Sequence, residues 1–187
     1  MLIAPSWGVK NVLESCGERL VELLLENGYE VIVRPHPETF RLSPIMIDIL
    51  AKKFGNDPAF TLERSVATDD SLLRSDVLIC DCSGVAFEYA FGTERPVLFL
   101  DVPHKIRNEN FKELGIEPLE LSIRPKIGTI VSPEKLDTVP QVIEELKASQ
   151  TEYKECIVKL REQTGYAFGH SSRIGARHII DLCNTKT

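Results

Sequence analysis

Short apolar runs alternate along this chain with longer stretches in which apolar residues recur every three or four positions. Leu2 to Pro5 is the first run and predicts a short buried strand, followed by the turn Ser6-Trp7-Gly8. Leu13, Cys16, Leu20, Leu23 and Leu24 then recur at helical spacing, and Asn27-Gly28 supplies the stop. Tyr29–Val33 predicts a second strand, running into Arg34-Pro35-His36-Pro37. Ser43-Pro44 sets a capping residue before a proline at the first helical position. Ile45, Met46, Ile49, Leu50 and Phe54 give that helix its apolar face. A strand at Phe60–Leu62 follows, then a brief helix near Asp70–Leu73 with acidic residues in its first turn. Next come a strand from Val77 to Cys80, a helix over Val85–Phe91 and a strand over Pro96–Leu100. The stretch from His104 to Pro125 is the least regular and reads as a ligand-side loop. Gly128–Val131 predicts a sixth strand, and Leu136, Val139, Ile143 and Leu146 mark the helix after it. Tyr153, Cys156, Ile157 and Leu160 mark another, and Ile174–Leu182 predicts a closing helix.

Short apolar strands alternating with amphipathic helices indicate a mostly parallel sheet covered on both faces. The expectation is one doubly wound, Rossmann-like α/β domain of about six strands over residues 1–187, with a helical segment from about 151 to 187. A chain of 187 residues is long enough for one sizeable core. No internal repeat or low-complexity linker interrupts it. In such sheets ligands bind beyond the carboxyl ends of the strands. The polar clusters fall at those ends: Ser6-Trp7-Gly8, Arg34-Pro35-His36-Pro37, Asp81-Cys82-Ser83-Gly84 and Asp101.

Composition narrows the function classes. At 43% hydrophobic and 27% charged residues the chain is an ordinary globular domain, and its net charge of −6 argues against a nucleic-acid partner held by general electrostatics. Five cysteines form no disulfide ladder, and Cys80 and Cys82 have no second Cys or His pair at zinc spacing, so no metal site is expected. The unspaced thiols fit a reducing, cytoplasmic setting, with no signal peptide or membrane-spanning stretch visible. Neither G-x-G-x-x-G nor a Walker A pattern is present, and there is no G-x-S-x-G elbow, so no cofactor and no hydrolase triad are expected.

The turn Asp81-Cys82-Ser83-Gly84 between a strand and a helix offers free backbone N–H groups where the helix macrodipole favours an anion. Capping by Ser83 draws on the same N–H groups as phosphate binding, and the sequence leaves both open. Glu88, in the next turn and flanked by Phe87, Tyr89 and Ala90, reads as a buried carboxylate needing a partner, either a ligand hydroxyl or a loop N–H. His36, stiffened by two prolines, is suited to donate to a phosphate oxygen or act as an acid, with Arg34 neutralising the same phosphate. The bland alternative is a rigid loop with a surface histidine. Trp7 reads equally as a ligand contact or as rim packing, with Gly8 permitting close backbone approach. Ser171 or Ser172 reads first as a cap of the last helix, with anion binding second.

Taken together, Arg34-Pro35-His36-Pro37, Ser75 to Gly84, Phe87-Glu88-Tyr89-Ala90, Arg95 to Asp101 and Ser172-Arg173 resemble the C-terminal, nucleotide-binding half of GT-B-type transferases. Within these the likeness is to the CDP-glycerol glycerophosphotransferases of teichoic acid and capsule polymer synthesis. The resemblance implies a catalytic or pyrophosphate-contacting role for His36, a diphosphate contact for Ser83 and a donor contact for Glu88. Further candidate donor-binding residues are Ser6, Trp7 and Gly8, from their place at a strand end, and Arg34, Asp81, Gly84, Asp101, Ser172 and Arg173, which also lie in the matching motifs. The implied partner is a CDP-glycerol-like donor, and the full enzyme would sit in the cytoplasm or at the inner face of the membrane. Gly84 departs from the family, where a second serine or threonine is usual, and so resembles the D-S-G-G turn of UDP-N-acetylglucosamine 2-epimerases. Met1 leads directly into a core strand, so the expectation is an excised donor-binding half, inactive alone, whose N-terminal partner domain is absent. The alternatives are half of a UDP-sugar epimerase or glycosyltransferase, and a nucleotide-binding module without chemistry.

Overall fold

The computed structural model describes residues 1–103, 110, 113 and 115–184. Six parallel strands form one sheet: β1 (Leu2–Ile3), β2 (Val31–Val33), β3 (Phe60–Leu62), β4 (Leu78–Cys80), β5 (Val97–Leu100) and β6 (Gly128–Val131). Their order is β3-β2-β1-β4-β5-β6, the doubly wound order in which the chain reverses direction across the sheet between β1 and β4. β1 is the hinge of this arrangement, with Leu2 paired to Ile32 on one side and to Leu78 on the other.

The central strands β1, β4 and β5 bury both faces, which explains why they read as continuous apolar runs rather than as alternating patterns. The edge strands β3 and β6 leave Thr61 and Ile130 exposed. Ile3, Val33, Ile79, Leu98 and Leu100 face one core, filled by Leu20 and Leu24 of α1 (Glu18–Glu26), Leu50 and Phe54 of α3 (Pro44–Phe54), and Ile143 and Leu146 of α8 (Val139–Ala148). Leu2, Leu78, Cys80, Val97 and Phe99 face the other. That core is filled by Leu72 of α4 (Asp70–Arg74), Ala86, Tyr89 and Ala90 of α5 (Val85–Thr93), Ile127 of α7 (Arg124–Ile127), and Ile157 and Leu160 of α9 (Gln150–Thr164). Each fully buried aliphatic or aromatic side chain contributes about 1.5–3 kcal/mol relative to exposure.

The stops and starts follow local chemistry. The Asn27 side chain donates to Leu23 O and Gly28 takes φ 78°, ending α1 where expected. A wider π-helical turn, Leu13–Gly17, leads into α1. Three expectations need correction. Ser43 makes no side-chain cap bond to α3, and Ile45 and Ile49 are exposed while Ile47 joins Leu50 and Phe54 inside. The helix reads as apolar on more positions than its single contact face can bury. The segment Arg34–Pro37 is not all loop, because α2 (Pro37–Leu42) begins within it. The irregular stretch contains α6 (Leu119–Ser122) as well as α7, each too short for a periodic signal. Its positions 104–109, 111, 112 and 114 lie outside the described residues. The chain closes with α10 (Ser171–Asn184), which buries none of its side chains; Ser171 and Ser172 form its first turn. Among the described residues no helix is long and apolar enough to cross a membrane.

Candidate functional site

The reversal between β1 and β4 sends the loop after β1 and the loop after β4 to opposite sides, opening a crevice at their carboxyl ends. A shallow cleft lies there, lined by Ser6, Trp7, Asn11, Asp81, Cys82 and Pro103 among others, and it opens to solvent. Asp81, almost wholly buried, spans the crevice: Oδ1 accepts the Ser6 N–H at 2.8 Å and Oδ2 accepts the Ser6 hydroxyl at 2.9 Å. Behind this clamp, Asn11 accepts the Glu14 N–H through its side-chain oxygen and donates to Gly8 O, while Gly8 takes φ 105°. The loop after β1 is therefore held at both ends. Its tight turn needs the conformational freedom of glycine.

On the β2 side, His36 is the N-cap of α2, and its Nδ1 accepts the Glu38 N–H at 3.1 Å. An accepting Nδ1 carries no proton, so the imidazole in this bond is neutral with its proton on Nε2. The His36 ring lies against Trp7, centroids 5.9 Å apart and planes tilted by 34°. On the β4 side, Gly84 is the N-cap of α5, with no side-chain cap bond. Ser83 donates its N–H back to Asp81 O, and its half-exposed hydroxyl has no protein partner among the described residues. The Gly84 and Val85 N–H groups are likewise unbonded within the described residues. Simple capping by Ser83 is thus not what this turn does. Hydroxyl and amides stand together at the start of a helix whose dipole favours negative charge.

The remaining expected residues divide. Glu88 is exposed, not buried: Ala86, Tyr89 and Ala90 turn inward, and Gly84 and Glu88 share the outer face of α5. Its carboxylate needs no protein partner. Asp101, at the end of β5, accepts from Arg124 Nη1 at 3.0 Å. Arg34 is buried and turned away from the cleft, donating to Thr68 O, Ser71 Oγ and Val66 O. Those bonds hold the loop between β3 and α4, a structural task that the sequence does not reveal. Ser172 and Arg173 are exposed on α10 and make no bond to the cleft among the described residues.

Sequence reasoning missed Asn11 and Arg124, and named Cys82 only as part of the polar turn after β4. Asn11 carried a usable signal, since it is a capping-type residue two positions before the first periodic leucine. Arg124 carried none, because only tertiary packing brings it beside Asp101 and over the Phe99 ring. Burial pushes the Cys82 thiol up, against a smaller opposing pull from Arg124. Burial pushes Cys80 further still, so both stay protonated near neutrality. Neither is disposed to act as a thiolate nucleophile. Among the described residues no three His, Cys, Asp or Glu side chains are grouped to hold a metal ion.

The family model of CDP-glycerol:poly(glycerophosphate) glycerophosphotransferase matches residues 5–105, the stretch that carries both walls of the cleft. No curated protein matches the chain. Among solved structures, the crystal structure of Acinetobacter baumannii MurG is similar, with a TM-score of 0.45 and 13% identity. That similarity covers 86% of this chain and 44% of that one, so this chain spans less than half the length of that structure. With its matched segment extending over more than half of its residues, the chain belongs to the CDP-glycerol:poly(glycerophosphate) glycerophosphotransferase family.

Proposed function

We propose that this chain is the donor-binding part of a glycerophosphotransferase of cell-surface polymer synthesis, with CDP-glycerol or a related CDP-polyol as donor. The observation that carries the reading is the unbonded Ser83 hydroxyl beside the open Gly84 and Val85 amides, at the switch point of the sheet. Such a group of neutral donors suits a diphosphate. The exposed Glu88 carboxylate, one turn further along the same face, suits the hydroxyls of a glycerol or other polyol.

In the full reaction an acceptor hydroxyl attacks the β-phosphorus of the donor. A new P–O bond forms to the acceptor, the P–O bond to CMP breaks, and the acceptor proton passes to a base. His36, with its proton on Nε2, supplies a hydrogen bond to the diphosphate as charge moves onto the leaving CMP. The cleft is far smaller than the roughly 300–1,000 Å³ usual for small-molecule sites and is open on one side. A second domain, in cis or in trans, would complete it and bring the acceptor into line. This chain by itself is then a binder with no transferase rate of its own, and the complete enzyme works in the cytoplasm or at the inner membrane face.

Calorimetry with CDP-glycerol, CMP and UDP tests this. The expected result is selective cytidine-nucleotide binding that weakens in Ser83→Ala and His36→Ala, with Glu88→Ala weakening CDP-glycerol more than CMP. UDP preference would favour a nucleotide-sugar enzyme, and no nucleotide binding would leave a non-catalytic module.

A further inference from the structure

The Asp81 carboxylate is committed on both oxygens to one residue across the crevice, Ser6, whose backbone N–H and hydroxyl it accepts at 2.8 and 2.9 Å. Asp81 is only 3% exposed, and each of its carboxylate oxygens already accepts a bond from Ser6. The residue after Ser6 is Trp7, whose ring lies against His36. Asp81 is also the residue whose carbonyl accepts the Ser83 N–H, at 3.1 Å. One side chain and its own carbonyl therefore join the Trp7–His36 wall to the Ser83–Val85 wall. β1 and β4 are neighbours in the sheet, but the ladder bonds end at Ala4 N to Ile79 O. Beyond that point the clamp carries the alignment of the two loops.

We propose that Asp81 is a positioning residue that acts through Ser6: it sets where Trp7 and His36 stand relative to the phosphate seat and does not itself touch the donor. The proposal deepens the donor-site reading and rests on it for its binding consequence, while its structural consequence stands independently. Asp81→Asn leaves one oxygen to accept the Ser6 N–H but turns the other acceptor into a donor. Both bonds then lose their charge assistance, the hydroxyl bond must reverse, and the tie between the loops after β1 and β4 loosens. Ser6→Ala removes one of the two bonds and retains the backbone one. If Asp81 acts only through Ser6, the two substitutions must be coupled.

Trp7 is the only tryptophan in the chain, so its fluorescence reports this loop without any added label. The test uses the full chain. Acrylamide quenching of Trp7 is measured in wild type, Asp81→Asn, Ser6→Ala, the double variant and Ser83→Ala, with thermal melts to establish that each is folded. CDP is then titrated into each by calorimetry. The expected result is quenching raised by about twofold in Asp81→Asn and less in Ser6→Ala. CDP affinity falls by about tenfold and about threefold respectively, in line with the loss of charge-assisted bonds. The double variant resembles Asp81→Asn alone, whereas Ser83→Ala weakens CDP without changing the quenching. Additive losses in the double variant, or Trp7 quenching unchanged in Asp81→Asn and Ser6→Ala, overturn the proposal. If Asp81→Asn does not fold, Ser6→Ala decides by the same quenching criterion. Raised quenching in Asp81→Asn and Ser6→Ala, with a wild type that binds no CDP, retains the clamp and removes the donor-site reading, so the two failures are separable.

Discussion

His36 accepts the backbone N–H of Glu38 through Nδ1 at 3.1 Å, so the same imidazole begins helix α2 and presents its proton on Nε2. The two prolines at 35 and 37 make this arrangement natural. Pro37 lacks an N–H, so the first helical amide needing a partner is that of Glu38, two residues after the histidine.

The two ring nitrogens can therefore be tested apart. His36→Asn retains an acceptor near the Nδ1 position, and its stability is expected within about 0.5 kcal/mol of wild type. His36→Gln moves its amide towards the Nε2 position and loses the cap, at about 1 kcal/mol. CDP-glycerol affinity is expected in the opposite order, with Gln retaining more than Asn. Urea unfolding and calorimetry measure the two effects, and parallel losses in both variants would show that the nitrogens do not divide the work.

Arg34 is expected to matter for stability. Its guanidinium donates to two carbonyls and the Ser71 hydroxyl while almost fully buried. Removing it leaves those acceptors unpaired, so Arg34→Ala is expected to cost about 2–4 kcal/mol in urea unfolding. A variant of wild-type stability with lost nucleotide affinity would instead assign the residue to the ligand.

Gly128 begins β6 opposite Val97, and a Cβ at that position would run into the Val97 carbonyl. Its backbone is extended, so the requirement is close approach of two strands and not an unusual φ. Gly128→Ala is expected to destabilise by about 1–3 kcal/mol, read from the urea midpoint, because the backbone must shift to admit a methyl group. The sheet edge at β5–β6 should lose hydrogen-exchange protection first.

Glu94 ends α5 in the left-handed conformation (φ 58°) and binds α9 through Lys154 and Arg161 at 2.9 Å each. Hydrogen bonds to Lys154 and then Arg161 hold its carboxyl below the ordinary value of 4.5. A depressed carboxyl contributes stability that is present above that value and is lost as pH falls through the lower folded-state value. Thermal melts at descending pH should therefore show a steeper loss below pH 4.5 for wild type than for Glu94→Gln. Equal slopes would show that the pair does not act on stability.

Much of the fold was legible because short apolar runs alternate with stretches of helical periodicity. The strands at Phe60–Leu62 and Gly128–Val131 have the bounds expected from their apolar runs, and the others differ by a few residues at their ends. The helices α6 and α7 were not legible, since two four-residue helices cannot display a 3.6-residue period. At the site, Ser6, Trp7, Asp81 and Ser83 were visible as polar residues at strand ends. Their division of labour was not. Glu88 looked buried because its neighbours in sequence are apolar, but on a helix those neighbours point elsewhere, and Arg34 looked like a phosphate ligand because its loop faces the ligand edge.

The sequence alone determined the six strands and their order along the chain, the parallel sheet and the family likeness, all of which depend on local pattern and on motifs read in order. Tertiary structure decided which polar groups are already bonded. Asp81 and Ser6 are 75 positions apart and meet because β1 and β4 are neighbours at the reversal of the sheet. A carboxylate bonded to its own fold and a hydroxyl left free for a ligand have the same one-dimensional signature. Only the distances between them, set by strand order and burial, tell the clamp from the seat.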